Sequence, residues 1–311
     1  RVYAKNQMYT GKHIATKLWV GDYTTGDTFE KFAQKAEGIK RIGVLRADVD
    51  NLGQTFVAGF AGKYATLSRT AALSRQLSIF FKYYIRSILK NGEYHIDGEK
   101  KLTERNATIV YSGGDDVFIV GAWNEVIELS IDLQEKFKKY TQGTLSISSG
   151  IGIYECTYPI GAIANETGEM EAESKRMPEK DSVTLMDDGE THLINELEIC
   201  DGTYRWEELY KSVLGEKYDV IQDFLGESDE RGMSFLYRML ELIRNQKEKI
   251  NFARFVYLLS RLEPDKEGEK KEKYRKFSRK MYQWVQSEKD CRELKTAINL
   301  YAYMHREKGA H

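Results

Sequence analysis

This chain is poor in the residues that build covalent or metal-linked frameworks. Its three cysteines, Cys156, Cys200 and Cys291, stand far apart, and none forms a Cys-x-x-Cys pair. That excludes a closed disulfide framework and a zinc knuckle, and it fits a reducing, cytoplasmic setting. The five histidines (His13, His95, His192, His305, His311) include no His-Asp dipeptide and no His-x-x-x-His, so a His-rich metallohydrolase centre is not expected. With three prolines and no low-complexity tract, long disordered regions are not expected either. No apolar run approaches the roughly 20 residues that span a bilayer. Charged residues make up 31% of the chain, which also argues against a membrane protein. No signal peptide is visible, and the chain starts at Arg1 without an initiator Met. The reading is therefore of a piece of a longer protein.

An excess of either charge is also missing. The net charge is −1, so there is no global basic footprint for nucleic acid. The one local exception is the stretch 266–280. It holds Lys266, Lys270, Lys271, Lys273, Arg275, Lys276, Arg279 and Lys280 against Glu267, Glu269 and Glu272. A solvated helix face accounts for it, and a contact with RNA phosphates is the sharper reading.

What is present is size and pattern. Apolar residues make up 41% of 311 positions, enough for two domains with real cores. Residues 1–38 read as an irregular connecting segment, with Trp19, Val20 and Tyr23 as anchors. Residues 41–50 (Arg-Ile-Gly-Val-Leu-Arg-Ala-Asp-Val-Asp) read as a buried strand ending in carboxylates. A helix is predicted over about 68–90, where Leu73, Leu77, Phe80 or Phe81, Tyr84 and Ile88 recur at helical spacing. Then Thr108–Tyr111 and Val117–Val120 form a hairpin around a Gly-Gly-Asp-Asp turn. A second helix over about 124–140 and an alternating strand from Leu145 to Tyr154 complete the order β-α-β-β-α-β. That is the split-βαβ, ferredoxin-like arrangement, an α+β fold with an antiparallel sheet. A further helix (about 158–175) and a strand (Ser182 to Met186) decorate it. The expected division is a connecting segment 1–38, a palm-like domain 39–189 and an all-α helical domain 190–311. The helical candidates are 204–214, 216–226, 231–246, 250–262, 270–287 and 290–306.

In this topology strands one and three lie side by side. Asp48 and Asp50 at the end of one then meet Asp115 and Asp116 in the turn of the other. So many carboxylates repel when ionised, and a cation is the usual remedy. Hard oxygen donors select Mg²⁺ or Mn²⁺, and two such ions suit in-line attack on a phosphate. Gly113 and Gly114 are expected to permit positive φ in the turn and close approach of a ligand. The Asn51-Leu52-Gly53 turn offers backbone N–H groups to a triphosphate. Ser74 and Ser78 share a helix face, and Lys175, Arg176 and Lys180 precede the last strand, where a lysine offsets pyrophosphate charge.

The motifs Arg-Ala-Asp-Val-Asp-Asn-Leu-Gly (46–53), Ser-Arg-Gln-Leu-Ser (74–78), Tyr-Ser-Gly-Gly-Asp-Asp (111–116), Ile-Ser-Ser-Gly-Ile-Gly-Ile-Tyr (147–154) and Lys-Asp-Ser-Val-Thr-Leu (180–185) occur in that order. Together they resemble the large subunit of type III CRISPR effector complexes, in its III-A branch, over about 41–187. The helical remainder is similar to that family's C-terminal domain. The stretch 17–23 resembles the segment before its second palm. The resemblance implies a palm that converts ATP into cyclic oligoadenylate second messengers in antiviral defence, triggered by target RNA pairing with a guide RNA. It implies Asp48, Asp115 and Asp116 as metal ligands and Ser112, Gly113 and Gly114 as lining of the nucleotide site. Asn51, Ser74 and Ser78 would contact nucleotide, and Lys175 and Lys180 the triphosphates. The implied partners are an upstream palm and nuclease domain of the same subunit, the backbone and small subunits, and the guide and target RNA. The family's His-Asp nuclease motif and cysteine-rich insertion are not in this stretch, so DNA cleavage is not assigned to these residues. Two other readings stand beside this one: a diguanylate-cyclase-like palm that uses GTP, and a non-catalytic scaffold that docks guide RNA and small subunits.

Overall fold

A computed structural model describes residues 2–5, 15–18, 20–60, 62–99, 101–186, 189–226, 230–244, 249–265 and 267–306. The chain divides into two compact units, Arg1–Trp206 and Glu207–His311.

The first unit is built on a six-stranded sheet. Its strands are β3 (Ile42–Val49), β4 (Ala107–Ser112), β5 (Asp116–Ala122), β6 (Ile147–Tyr154), β7 (Ser182–Leu185) and β10 (Thr203–Arg205). Their spatial order is β10-β7-β6-β3-β5-β4. Four consecutive strands, β6-β3-β5-β4, are all antiparallel, which is the expected ferredoxin-like arrangement. β7 extends the sheet parallel to β6, and β10 pairs antiparallel with β7. A parallel pair, β1 (Val2–Lys5) with β2 (Ala15–Leu18), and a hairpin, β8 (Thr191–Ile194) with β9 (Leu197–Cys200), stand outside it.

Period-two alternation assigns the two faces of β3. Gly43, Leu45, Ala47 and Val49 face α5 (Trp123–Tyr140), whose Trp123 and Val126 press on Gly43. Ile42 and Val44 face the other way. They meet Phe32 and Ala33 of α1 (Phe29–Lys35), Val120 of β5 and Ile163 of α6 (Ile160–Ser174). Asp48 lies on this second face, so the site opens on the α6 side of the sheet. A Cβ at Gly150 of β6 would stand 2.5 Å from backbone atoms of Thr167 and Glu171, so only glycine lets α6 lie this close.

Several expectations change. Residues 1–38 are not wholly irregular, since they hold α1 and the β1–β2 pair. Tyr23 is buried and its hydroxyl donates to the Arg105 carbonyl at 2.7 Å. Val20 is exposed and does not act as a core anchor, and Trp19 lies outside the described residues. The helix expected over 68–90 is α3 (Leu67–Ile79), a π-helical stretch Phe80–Tyr84 and α4 (Ile85–Lys90). A short helix, α2 (Leu52–Ala58), follows β3. The sheet-bearing unit runs on to Trp206, beyond the expected boundary near 190. The reason is that Thr203, Tyr204 and Arg205 pair with Thr184, Val183 and Ser182 instead of starting a helix.

The second unit is helical. After the single turn α7 (Trp206–Glu208) come a π-helical stretch Leu209–Tyr218, α8 (Asp219–Leu225), α9 (Glu230–Arg244), α10 (Lys249–Ser260), α11 (Glu269–Trp284) and α12 (Glu288–His305). Its core includes Val213, Ile221, Leu236, Met239, Phe277, Met281, Leu294 and Ile298. Lys217 is buried against Glu293 and Asp290 of α12, with Trp284 beside it at 5.1 Å. Lys270 to Lys280 of the basic stretch sit on α11, Lys266 lies outside the described residues, and most of the charge on this helix is spent on ion pairs. Lys271, Lys273, Arg275, Lys276 and Lys280 each pair with an acidic side chain. That favours the solvated-face reading over the RNA-phosphate one. Among the described residues no helix is long and apolar enough to cross a membrane.

Candidate active site

The β3–β5 register puts Asp48 directly opposite Asp116. Cross-strand partners share a face, so both carboxylates stand on the α6 side. The β4–β5 turn is drawn in by two backbone bonds. Gly113 N–H donates to the Asp116 carbonyl at 2.8 Å, and Val49 N–H donates to the Asp115 carbonyl at 3.2 Å. Asp115 is partly buried. Burial first, then the Asp48 and Asp116 charges, push its carboxyl above the ordinary carboxylate range, with Lys175 opposing. The three carboxylates are thus electrostatically one group. The Asp116 charge, together with a hydrogen bond from Tyr111, also raises the Tyr111 phenol.

Gly113 and Gly114 do not take positive φ, contrary to expectation. At 113 an added Cβ would crowd Asp116 Oδ1 and the Tyr111 hydroxyl, two side-chain ends that would have to shift to admit it. At Gly114 an added Cβ would meet only Ser78 Oγ, at 3.7 Å. This contact brings Ser78 of α3 to the turn. Ser74 lies one helical turn away and is exposed. The Ser112 hydroxyl points elsewhere, since it donates to the Phe81 carbonyl within the π-helical stretch.

A chain of charges closes the α6 side. Lys175, just past the end of α6, bonds to Asp48 and, at 2.6 Å, to Glu171. Glu171 also meets Arg46 of β3 at 3.0 Å. Burial works against the Lys175 ammonium, yet its bonds to Asp48 and Glu171 lift its pKa above the ordinary lysine value. Lys180 reaches a different point: its Nζ donates to Asn51 Oδ1 at 2.7 Å. Asn51 itself is left-handed (φ 54°) as it enters α2.

The structure separates the two carboxylates of the Asp-x-Asp pair. Asp50 is only 2% exposed, and its Oδ2 accepts from Ser146 Oγ at 2.7 Å and from Asp181 N–H at 3.1 Å. It is committed to the fold and is not a fourth member of the Asp48 group. Glu171 and Tyr111 are the site neighbours that sequence reading missed. Glu171 had a signal, because a Glu four residues before a Lys on one helix meets it.

A ready-made metal cage is not found: among the described residues no three His, Cys, Asp or Glu side chains are arranged to hold an ion. The donor chemistry nevertheless suits a hard divalent cation, since Asp48, Asp115 and Asp116 supply clustered carboxylate oxygens whose mutual repulsion already shows at Asp115. In this state the Lys175 ammonium is the cation beside Asp48.

A model of the Cas10/Cmr2 second palm domain matches residues 41–184. A model of the second helical domain of the CRISPR RNA silencing complex Cmr2 subunit matches 222–307. A Cas10/Csm1 protein of Mycobacterium tuberculosis, named a CRISPR system single-strand-specific deoxyribonuclease of subtype III-A, is 43% identical over 313 residues, covering 99% of this chain. The chain belongs to the Cas10/Csm1 large-subunit family of type III-A CRISPR systems. It spans only 37% of the length of that relative. Csm1 of T. onnurineus has the same fold, with a TM-score of 0.77 at 24% identity, covering 97% of this chain and 43% of that one. A Csm1–Csm4 cassette in complex with pppApApA matches with a TM-score of 0.68 at 27% identity, covering 92% of this chain and 41% of that one.

Proposed function

We propose that this Cas10/Csm1 segment is the ATP-converting palm of a CRISPR RNA-guided antiviral effector complex and makes cyclic oligoadenylates when target RNA is bound. The observation that carries the reading is the Asp48–Asp116 cross-strand pair with Asp115 beside it, a focus of negative charge at the mouth of a palm sheet. A Csm1–Csm4 cassette of the same fold binds pppApApA, a chain of three adenylates that still carries a triphosphate. That ligand supports ATP over GTP.

In this reading the 3′-hydroxyl of one ATP attacks the α-phosphate of another. A phosphodiester forms, the α–β anhydride breaks and pyrophosphate leaves. Asp48, Asp115 and Asp116 would hold Mg²⁺ or Mn²⁺, two ions in all, which when bound neutralise the phosphates and activate the hydroxyl. The chain's own part is positional. Ser78 and Gly114 border one side of the turn, and Ser74 extends that helix face. Ser112 fixes the turn to the Phe81 carbonyl, while Gly113 leaves room for Asp116. Lys175 and Lys180 offset charge on the leaving pyrophosphate, and Asn51 holds Lys180 until nucleotide enters. A neighbour named as a Csm1–Csm4 cassette supports docking of a Csm4-like subunit, and with it the guide and target RNA of the complex. Scaffolding is then an additional duty. The deoxyribonuclease in the relatives' name is not carried over to these residues.

Replacing Asp115 and Asp116 together by Ala in the assembled complex is expected to lower oligoadenylate formation by at least about a thousandfold, with target RNA binding unchanged. Mass spectrometry of the products after incubation with ATP, Mg²⁺ and target RNA measures it. Undiminished ATP conversion overturns the assignment.

A further inference from the structure

Residues 179–181 carry an unusual backbone. Glu179, Lys180 and Asp181 are three consecutive non-glycine residues in the left-handed region, with φ of 69°, 54° and 48°. Side chains with a Cβ disfavour this region, and it persists only where the surroundings hold it. The surroundings do so here. Lys180 N–H donates to the Met177 carbonyl at 3.0 Å, and the Asp181 carbonyl accepts from Trp206 N–H at 3.2 Å. Gln134 Nε2 donates to Asp181 Oδ1 at 3.2 Å, and Arg205 pairs with Glu179 at 2.8 Å. A further contact comes from buried Asp50, whose carboxylate accepts the Asp181 N–H at 3.1 Å.

Asp50 is itself fixed. Its N–H donates to the Ser146 carbonyl at 2.9 Å, and Ser146 Oγ donates back to its carboxylate at 2.7 Å. Its Oδ1 is buried with no hydrogen-bond partner among the described residues. A carboxylate this deeply buried is costly, and a positional duty accounts for its retention. The pairing pattern shows which duty. Two adjacent residues, Asp50 and Asn51, hold two adjacent residues of the turn: Asp50 takes the Asp181 amide, and Asn51 takes the Lys180 ammonium.

We propose that Asp50 is a positioning residue that clamps the left-handed 179–181 turn to the end of β3 and thereby sets Lys180 beside the nucleotide's phosphates. The part concerning nucleotide rests on the ATP reading above, whereas the clamp itself does not. Asp50 touches neither substrate nor ion in this scheme. It acts through the backbone of the turn.

The test uses the assembled complex, with hydrogen–deuterium exchange over 177–183 and titration with α,β-methylene ATP, whose α–β bond does not break. Asp50→Ala is expected to speed amide exchange at 180–181 by about tenfold or more. It should weaken analogue binding by about three- to tenfold, as much as Lys180→Ala does. The double variant should bind no more weakly than either single one, because both remove the same contact. Asp50→Asn should restore both readouts, since its amide oxygen still accepts from the Asp181 N–H. Should Asp50→Ala fail to assemble, Ser146→Ala replaces it, and the same exchange shift is expected at smaller size. Unchanged exchange at 180–181 in whichever of these two variants assembles, or additive losses in analogue binding, overturns the proposal. If the unaltered complex does not bind the analogue, the ATP reading falls, and exchange alone decides the clamp.

Discussion

Single residues show how charge is handled away from the site. Arg105 is fully buried, and its guanidinium bonds to Glu128, to Asp132 at 2.8 Å and to the Tyr94 carbonyl. His95 Nδ1 lies 3.5 Å from the same Glu128. Glu128 and Asp132 in turn accept backbone N–H groups of Ile96, Glu93 and Tyr94. The cluster thus pins the segment after α4 to α5. Burial pushes Glu128 up to about 7, against the pull of Arg105. A carboxyl raised in this way favours the folded state below its ordinary range, and that favour is lost as pH rises through about 7. Arg105→Met strands two buried carboxylates, so it should lower stability by about 3–5 kcal/mol near neutral pH. The loss should be smaller at about pH 5, where Glu128 is protonated. Denaturant unfolding at the two pH values checks this, and an equal loss at both would contradict the role given to the Glu128 charge. At the site itself the residue-scale lesson is the split of Asp48 from Asp50. Both were legible as an acidic pair, but their duties were not.

At the scale of elements, close approach of α6 to the sheet makes the charge chain possible. Gly150 sets that distance, and Arg46, Glu171, Lys175 and Asp48 then meet in one row. Gly150→Ala places a methyl against the backbone of α6, and backbone cannot rotate away. A loss of about 1–3 kcal/mol is expected, read as a fall in Tm of roughly 3–10 °C for a unit of this size. An unchanged Tm would show that α6 can move off the sheet without cost. The π-helical stretch Phe80–Tyr84 is the other element with consequences. It inserts into a helix that sequence reads as continuous, and its Phe81 carbonyl accepts the Ser112 hydroxyl. Helical periodicity gave no warning, because one extra residue in a turn shifts the hydrophobic face by less than the width of the apolar stripe.

On the scale of the whole chain, the residues divide between two compact units. The sheet-bearing unit holds every proposed site residue. The helical unit spends most of its basic helix on internal ion pairs, so a salt-sensitive grip on RNA does not follow from its charge count. In the proposed reading, the upstream palm that the family resemblance implies supplies the other half of the nucleotide pocket. The chain by itself should therefore make oligoadenylates at least about a hundredfold more slowly than the assembled complex, because orientation of two nucleotides is lost. Parallel assays with ATP, Mg²⁺ and target RNA compare the two, and robust turnover by the chain alone would refute the composite pocket.

The sequence by itself determined the β-α-β-β-α-β order, the turn that carries Asp115 and Asp116, and the helical character of the remainder. Each of these is written in local periodicity and turn chemistry, over spans shorter than one element. Tertiary structure decided the rest. It placed Lys175 on Asp48, 127 positions away, and Asp50 under the Asp181 amide, 131 positions away. It also took residues 203–205 into the sheet, although the local pattern starts a helix at 204. The physical reason is the same in each case. A side chain's partner and a strand's register are set by packing between distant segments, and alternation along one strand stops informing where the strand ends.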